Sequence, residues 1–179
     1  MKKTILFFSL LTAATFSFAQ VKQTTSAIVS FDATTPKDAL PKAENKTVIA
    51  QVNTKTGEIG FEAAVKNFAF SNPLIQEHFN EERWMNSGKF PAFTFMGKIN
   101  DVQKYNFSKN GVYNVTVTGQ MTVKDKSTTL TTPATIEVKT GSLVATANFS
   151  ITLADYGIQV GDGGKIAGQP KITVSAELK

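Results

Sequence analysis

His78 is the single histidine of the chain. It stands in Gln76-Glu77-His78-Phe79-Asn80-Glu81-Glu82, where a helix would bring Glu82, four residues on, to the same face. Such a corner offers two ligands, fewer than the three or four that zinc takes from protein, and one histidine excludes a His–His site within the chain. There is no cysteine, which removes thiolate nucleophiles, disulfides and cysteine zinc sites. Carboxylates make no stronger case. Glu58 and Glu62 share one strand face and Asp155 precedes Tyr156-Gly157 at a strand end, but no base or acid complements either. The run Gly161-Asp162-Gly163-Gly164-Lys165 fails as a phosphate loop, because Gln159 stands at the first glycine position and Ile166 where Ser or Thr should follow the lysine. It reads as a connection before the last strand. Asn106-Phe107-Ser108, Asn114-Val115-Thr116 and Asn148-Phe149-Ser150 fit the N-glycosylation triplet, yet two of them fall inside predicted strands and read as chance matches. The residues thus point away from an enzyme, a resident metal or a cofactor.

Residues 1–19 read as a secretory leader. Lys2 and Lys3 form its positive start, 5–11 its short apolar centre, and Ser17-Phe18-Ala19 puts small residues at the −3 and −1 positions of a cleavage site. The apolar part is too short and too interrupted by Ser and Thr for a membrane span. Export to the periplasm is expected, with the extracellular space as the alternative, and a mature chain starting at Gln20. The formal net charge is +5, two of it from Lys2 and Lys3, and no basic run exceeds a pair, so no nucleic-acid partner is expected. Residues 20–179 show no linker, repeat or low-complexity tract and read as one domain, long enough to bury a sizeable core.

The elements that would position any site are strands. Thr, Val, Ile and Phe dominate, and apolar residues alternate with polar ones. Tyr113, Val115, Val117, Gly119, Met121 and Val123 share one face, as do Leu143, Ala145, Ala147, Phe149, Ile151 and Leu153. Leu130, Ala134, Ile136 and Val138, and then Ile172, Val174, Ala176 and Leu178, repeat the pattern. Turn sequences separate these runs, among them Asn53-Thr54-Lys55-Thr56-Gly57, Lys109-Asn110-Gly111, Lys124-Asp125-Lys126-Ser127 and Lys139-Thr140-Gly141-Ser142. Strands are predicted over 26–33, 46–54, 57–68, 92–104, 111–124, 128–139, 142–154 and 171–178. One helix is predicted over 72–86, with Asn72 as its cap and Pro73 at its first position. About eight one-sided antiparallel strands close into a barrel or stack as a two-sheet sandwich. A barrel of that size is filled by side chains or holds one small ligand. The small apolar residues Ala33, Ala50, Ala63, Ala134, Ala145, Ala147, Ala176 and Gly119 favour a cavity. Phe61, Phe68, Phe70, Phe79, Trp84, Phe90, Phe93 and Phe95 crowd the region around the helix, either as core or as pocket wall.

Here the sequence resembles the YceI-like family of exported lipid-binding proteins. The resemblance is carried by Phe68-Ala69-Phe70, His78-Phe79-Asn80-Glu81, Trp84-Met85, Lys89-Phe90-Pro91-Ala92-Phe93-Thr94-Phe95 and Gly119-Gln120-Met121-Thr122-Val123. It continues through Phe149-Ser150-Ile151-Thr152-Leu153-Ala154-Asp155-Tyr156-Gly157-Ile158 and spans about 48–158. Two positions depart from the family pattern: Val29-Ser30-Phe31-Asp32-Ala33 lacks the usual histidine, and Lys124-Asp125-Lys126 lacks the usual turn glycine. The resemblance implies an all-β, eight-stranded antiparallel barrel of lipocalin-like shape with one short helical insertion. It also implies an isoprenoid chain in the apolar interior and no catalytic activity.

The expected function is carriage or sequestration of an apolar chain-like ligand, isoprenoid or other lipid. The ligand is expected along Phe61, Val65, Phe93, Phe95, Val117, Met121, Ile136 and Phe149. The alternatives are an interaction module of the cell envelope with a side-chain-filled barrel, and a hydrolase or metal protein using His78. Oligomeric state, a homodimer included, stays open at this level.

Overall fold

Alternation of β-branched and aromatic residues with polar ones produces long strands that pair with their neighbours in the chain. The computed structural model describes residues 20–161 and 163–179, so the expected leader and Asp162 lie outside the described residues. The strands are β1 (Val21–Asp32), β2 (Lys42–Asn53), β3 (Glu58–Ala64), β4 (Ala69–Phe70), β5 (Ala92–Ile99), β6 (Gly111–Val123), β7 (Lys126–Lys139), β8 (Ser142–Ser150) and β9 (Lys171–Leu178). Helix α1 (Pro73–Asn80) lies between β4 and β5. Their order is β1-β9-β8-β7-β6-β5-β3-β2, every pairing described is antiparallel, and β1 pairs again with β2. Eight strands therefore close the expected barrel, and the two-residue β4 sits beside β2 outside the ring.

Turn chemistry sets the register. In the β2–β3 hairpin the Asn53 side-chain oxygen accepts the N–H groups of Lys55 and Thr56, and Gly57 takes φ 75°. The β6–β7 hairpin has no glycine, and Lys124 itself adopts φ 59°, which costs an L-residue about 1–2 kcal/mol. Its ammonium compensates by donating to the Trp84 carbonyl at 2.8 Å, tying the hairpin to the segment after α1. The β7–β8 ladder starts at Ala134, so Pro133, with no N–H to donate, stands where the ladder ends.

Several elements differ from expectation at their ends. The strand expected over 57–68 stops at Ala64, where the 3-10 turn Val65–Asn67 begins, and β4 follows it beyond the expected range. The strand expected over 92–104 stops at Ile99, where Asp101 turns the chain with φ 51° into the 3-10 turn Val102–Lys104. The strand expected over 142–154 stops at Ser150, and Leu153–Tyr156 is a 3-10 turn packed under the loop before β9. α1 ends at Asn80 rather than 86, and the chain continues in turns through Asn86 at φ 48°. In each case apolar residues continue past the strand or helix because they pack on a neighbour, which extends the sequence pattern beyond the hydrogen-bonded element.

β1 and β2 each carry one extra residue relative to the other, β1 between Thr24 and Ala27 and β2 between Asn45 and Val48. Asn45, fully buried, fastens the β2 bulge. Its amide donates to the Ala64 carbonyl at 2.9 Å, and its oxygen accepts the Thr47 N–H at 2.8 Å and the Thr47 hydroxyl at 2.9 Å. Beyond the bulge Val48, Ala50 and Val52 all point inward and are completely buried. Removing the amide strands the partners of these bonds, each worth about 1–3 kcal/mol when left unsatisfied. Asn45→Ala is expected to lower unfolding free energy in guanidinium titration by about 2–4 kcal/mol. The exposed Asn148→Ala, which loses one bond from Thr173, is expected to lower it by less than about 1 kcal/mol. Equal losses would contradict the role given to Asn45.

Candidate functional site

The barrel interior is filled at one end and hollow at the other. At the filled end Tyr105, Phe107 and Tyr113 pack with ring centroids 5.2–6.3 Å apart. Ile99, Val115, Val138, Leu143 and Leu178 are buried in the same core cluster. At the other end is a cavity of about 390 Å³, a volume within the range of pockets for small organic ligands.

Its lining changes in size around the ring. β3, β5 and β6 contribute large side chains, Phe61, Phe93, Phe95 and Met121, with Val117 below them. β7 and β8 contribute small ones, Ala134, Ala145 and Ala147, with Ile136 and Phe149. Ala134 pairs with Ala147, and Ala145 pairs with Ile136 on one side and Ala176 on the other. Methyl side chains there leave the interior volume unfilled, whereas leucines would close it.

A roof covers the hollow end. Asn72 caps α1 by accepting the Leu74 N–H at 2.9 Å, and Pro73 opens its first turn. The cap aims Ile75, His78 and Phe79 at the cavity. The Phe79 ring lies 5.0 Å from Phe70, 5.6 Å from Phe31 and 6.2 Å from Phe68 between centroids. Each such pair adds about 0.5–1.5 kcal/mol to simple burial. The 3-10 turn Leu153–Tyr156 completes the roof. The Tyr156 hydroxyl hydrogen-bonds Thr128 of β7 beyond the end of the β7–β8 ladder, and burial holds its phenol pKa above the ordinary value despite that bond.

Of the residues named from sequence, Phe61, Phe93, Phe95, Val117, Met121, Ile136 and Phe149 border the cavity. Val65 does not. The 3-10 turn that starts there places it in a separate cluster with Met85, Val123, Leu153, Tyr156 and Ile158. Phe68, Phe70, Phe79 and Trp84 also border the cavity, whereas Phe90 lies outside it beneath the Lys89 ammonium. Val29 and Phe31 of β1 and Ile172 and Val174 of β9 also line the cavity, although they were not among the expected ligand contacts. Their alternation with polar neighbours was the available signal.

Polar groups are sparse. Thr94, Thr132 and Thr146 touch the cavity wall, while Asp38, His78, Arg83 and Lys165 come from the segments that roof the hollow end: the β1–β2 connection, α1 with the turns after it, and the loop before β9. His78 does not meet Glu82, because α1 ends before a fourth residue can complete the face. Its Nδ1 lies 2.7 Å from Glu81 Oε1, and Arg83 Nε donates to the other oxygen of Glu81 at 2.7 Å. No group of three or more His, Asp or Glu side chains among the described residues is placed to hold a metal. Glu58, Glu62 and Asp155 are exposed and border no cavity surface.

Comparison with known proteins assigns this architecture. The family profile of the YceI-like domain matches residues 10–178. The chain belongs to the YceI-like family. Among solved structures it is similar to a polyisoprenoid binding domain from Saccharophagus degradans implicated in plant cell wall breakdown, with TM-score 0.74 at 8% identity over 89% of this chain and 98% of that one. It is also similar to Burkholderia cenocepacia BcnA, with TM-score 0.70 at 18% identity over 86% and 96%. The Campylobacter jejuni YceI protein gives TM-score 0.59 at 14% identity over 74% and 80%. At these identities the likeness is one of fold. No curated protein matches the sequence.

In this YceI-like barrel one feature of the large-residue wall stands apart. Gly97 of β5 and Gly119 of β6 face each other directly in the ladder. A Cβ at Gly119 would lie 2.5 Å from the Met96 carbonyl oxygen, 2.5 Å from Gly97 Cα and 2.6 Å from Phe95 Cζ. A Cβ at Gly97 would lie 2.6 Å from the Thr118 oxygen and 2.7 Å from the same Cζ. Real side chains do not approach so closely, so the pair must be glycine while the Phe95 ring lies across it. Each glycine costs a strand interior about 0.5–1 kcal/mol relative to alanine, which the ring offsets by covering the bare backbone.

The Glu81 clamp gives the roof a pH dependence. The hydrogen bond from His78 holds the Glu81 carboxyl below its ordinary pKa, against a smaller opposing effect of burial and with further help from the Arg83 charge. A lowered pKa means that this stabilisation is fully present above the ordinary carboxylate range and is lost as pH falls through the folded value. Amides of residues 81–90 are expected to exchange faster, after correction for intrinsic rates, at about pH 3 than at about pH 6. Glu81→Gln is expected to flatten that difference. A variant that keeps the full pH difference would remove Glu81 as its source.

Proposed function

We propose that this protein is an exported, non-enzymatic carrier that holds an apolar chain-like ligand, isoprenoid or other lipid, inside the barrel. The observation that carries the reading is the cavity: about 390 Å³, walled by Phe, Ala, Val, Ile and Met side chains, with charge confined to its roof. The affinity of such walls comes from apolar contact, about 0.8 kcal/mol for each methylene removed from water. Part of that sum is consumed by the entropy of association. The description of the Saccharophagus relative as polyisoprenoid-binding supports the ligand class. Phe61, Phe93, Phe95, Val117, Met121, Ile136 and Phe149 then contact the chain, and Val65 supports the roof from outside. The leader signature at residues 1–19 supports export.

Native mass spectrometry of protein purified from cells is expected to show a mass increment that organic extraction removes. A clean apo mass across preparations would favour an envelope interaction module. Phe149→Glu is expected to weaken uptake of a fluorescent fatty-acid probe more than about tenfold, because an ionised carboxylate is strongly disfavoured in an apolar cavity. Lys98→Glu, on the outer face beside Glu58, is expected to leave uptake unchanged. Far-UV circular dichroism must first show both variants folded. A folded Phe149→Glu that binds like the parent would overturn the interior site. Protein from the envelope fraction is expected to begin at Gln20, and an intact mass that retains residues 1–19 would overturn export.

A further inference from the structure

The Gly97–Gly119 seat lies one inward residue pair short of the level where the cavity ends on β6. On β5 the inward residue past the seat is Ile99. On β6 Val117 borders the cavity and Val115 does not, and on β7 Ile136 does and Val138 does not. Beyond that level the interior is occupied by Ile99, Val115, Val138, Leu143, Leu178 and Phe107, all buried. Val52 and Ile59, opposite one another in the β2–β3 ladder, meet the same boundary. Ile59 in turn pairs with Gly97. The ring of Phe95 is thus laid across the sheet just short of the boundary, over a pair of glycines that leaves no room for a Cβ.

From this geometry we propose that Phe95 on its glycine seat is a length stop for the ligand chain, and that this protein selects single chains short enough to end at that ring. The inference rests on the interior-ligand reading above and deepens it by naming what limits the ligand. A ligand enters beneath the roof, where all the charged lining residues lie, and its tail points toward the floor. Carbons added while the tail is short are buried among Phe61, Phe93, Met121 and Phe149. Once the tail meets Phe95, further carbons stay at the roof in contact with water and add little. Affinity therefore rises with chain length and then levels off. The glycines hold the ring down: a methyl group at either one would lift it into the cavity and raise the floor.

The test is a series of unbranched saturated fatty acids, from about eight to about eighteen carbons, displacing a fluorescent probe from delipidated protein. The parent is expected to gain about fourfold in affinity per carbon up to a break, then to level off. Phe95→Ala is expected to move the break several carbons longer, and Phe95→Leu by less. Phe93→Ala, nearer the roof, is expected to weaken all members without moving the break. Gly119→Ala is expected to move it shorter, and circular dichroism must confirm its fold. If that variant does not fold, the two Phe95 variants decide. An unchanged break in Phe95→Ala, or a parent affinity that climbs without a break, overturns the stop while leaving the carrier reading intact. A folded parent that binds no member of the series overturns the carrier reading and the stop with it.

Discussion

β1 hydrogen-bonds to β2 along one edge and to β9 along the other, and this second pairing turns a twisted sheet into a closed ring. Closure satisfies the backbone of both end strands and fixes the number of strands, and the number of strands fixes the interior width. With eight, the space inside is about one layer of side chains across. Whether any part of it is empty then depends on the size of the residue each strand turns inward. The bulges in β1 and β2, fastened by buried Asn45, allow the closing pair to meet while Ala27, Val48, Ala50 and Val52 still face in.

Residue size is unevenly distributed along that interior. Leu143, Leu178, Val138, Ile99 and Phe107 fill one end completely, and the Tyr105–Phe107–Tyr113 cluster packs against them. Toward the other end β7 and β8 turn inward Ala134, Ala145 and Ala147, while β3, β5 and β6 turn inward Phe61, Phe93, Phe95 and Met121. The methyl groups of β7 and β8 are too short to fill the space the ring encloses there, and a cavity results. The roof makes it a pocket rather than an open cup. Phe79 gathers Phe31, Phe68 and Phe70 beneath α1, and the Leu153–Tyr156 turn is fastened to β7 through Thr128.

The hydrogen-bonded charges sit where they do least harm to such a pocket. Glu81 joins His78 to Arg83 at the end of α1, where water screens the ions, and the described ion pairs are all at the surface. Pairs of this kind contribute little individually to stability. Their placement leaves the cavity walls apolar and gives the roof segment a hold that does not depend on packing alone.

Composition and periodicity by themselves determined the strand class, the inward-facing sets of β6, β7, β8 and β9, and the hairpin turns, because side-chain period and turn residues are local properties. The same patterns placed Phe61, Phe93, Phe95, Val117, Met121, Ile136 and Phe149 on inward faces. What only the tertiary structure decided is where the apolar pattern outruns the element. Val65 and Leu153 continue an apolar series but belong to 3-10 turns, because they pack with the roof rather than on the barrel wall. Helix length was equally out of reach, since the turns after Asn80 are held by contacts to β6 and to the loop before β9, so the His78 partner became Glu81 instead of Glu82. The seat of Phe95 shows the limit best. Gly119 reads in sequence as one more small inward residue. That it must be glycine follows only when Gly97, about twenty residues away along the chain, is brought directly opposite it by strand pairing.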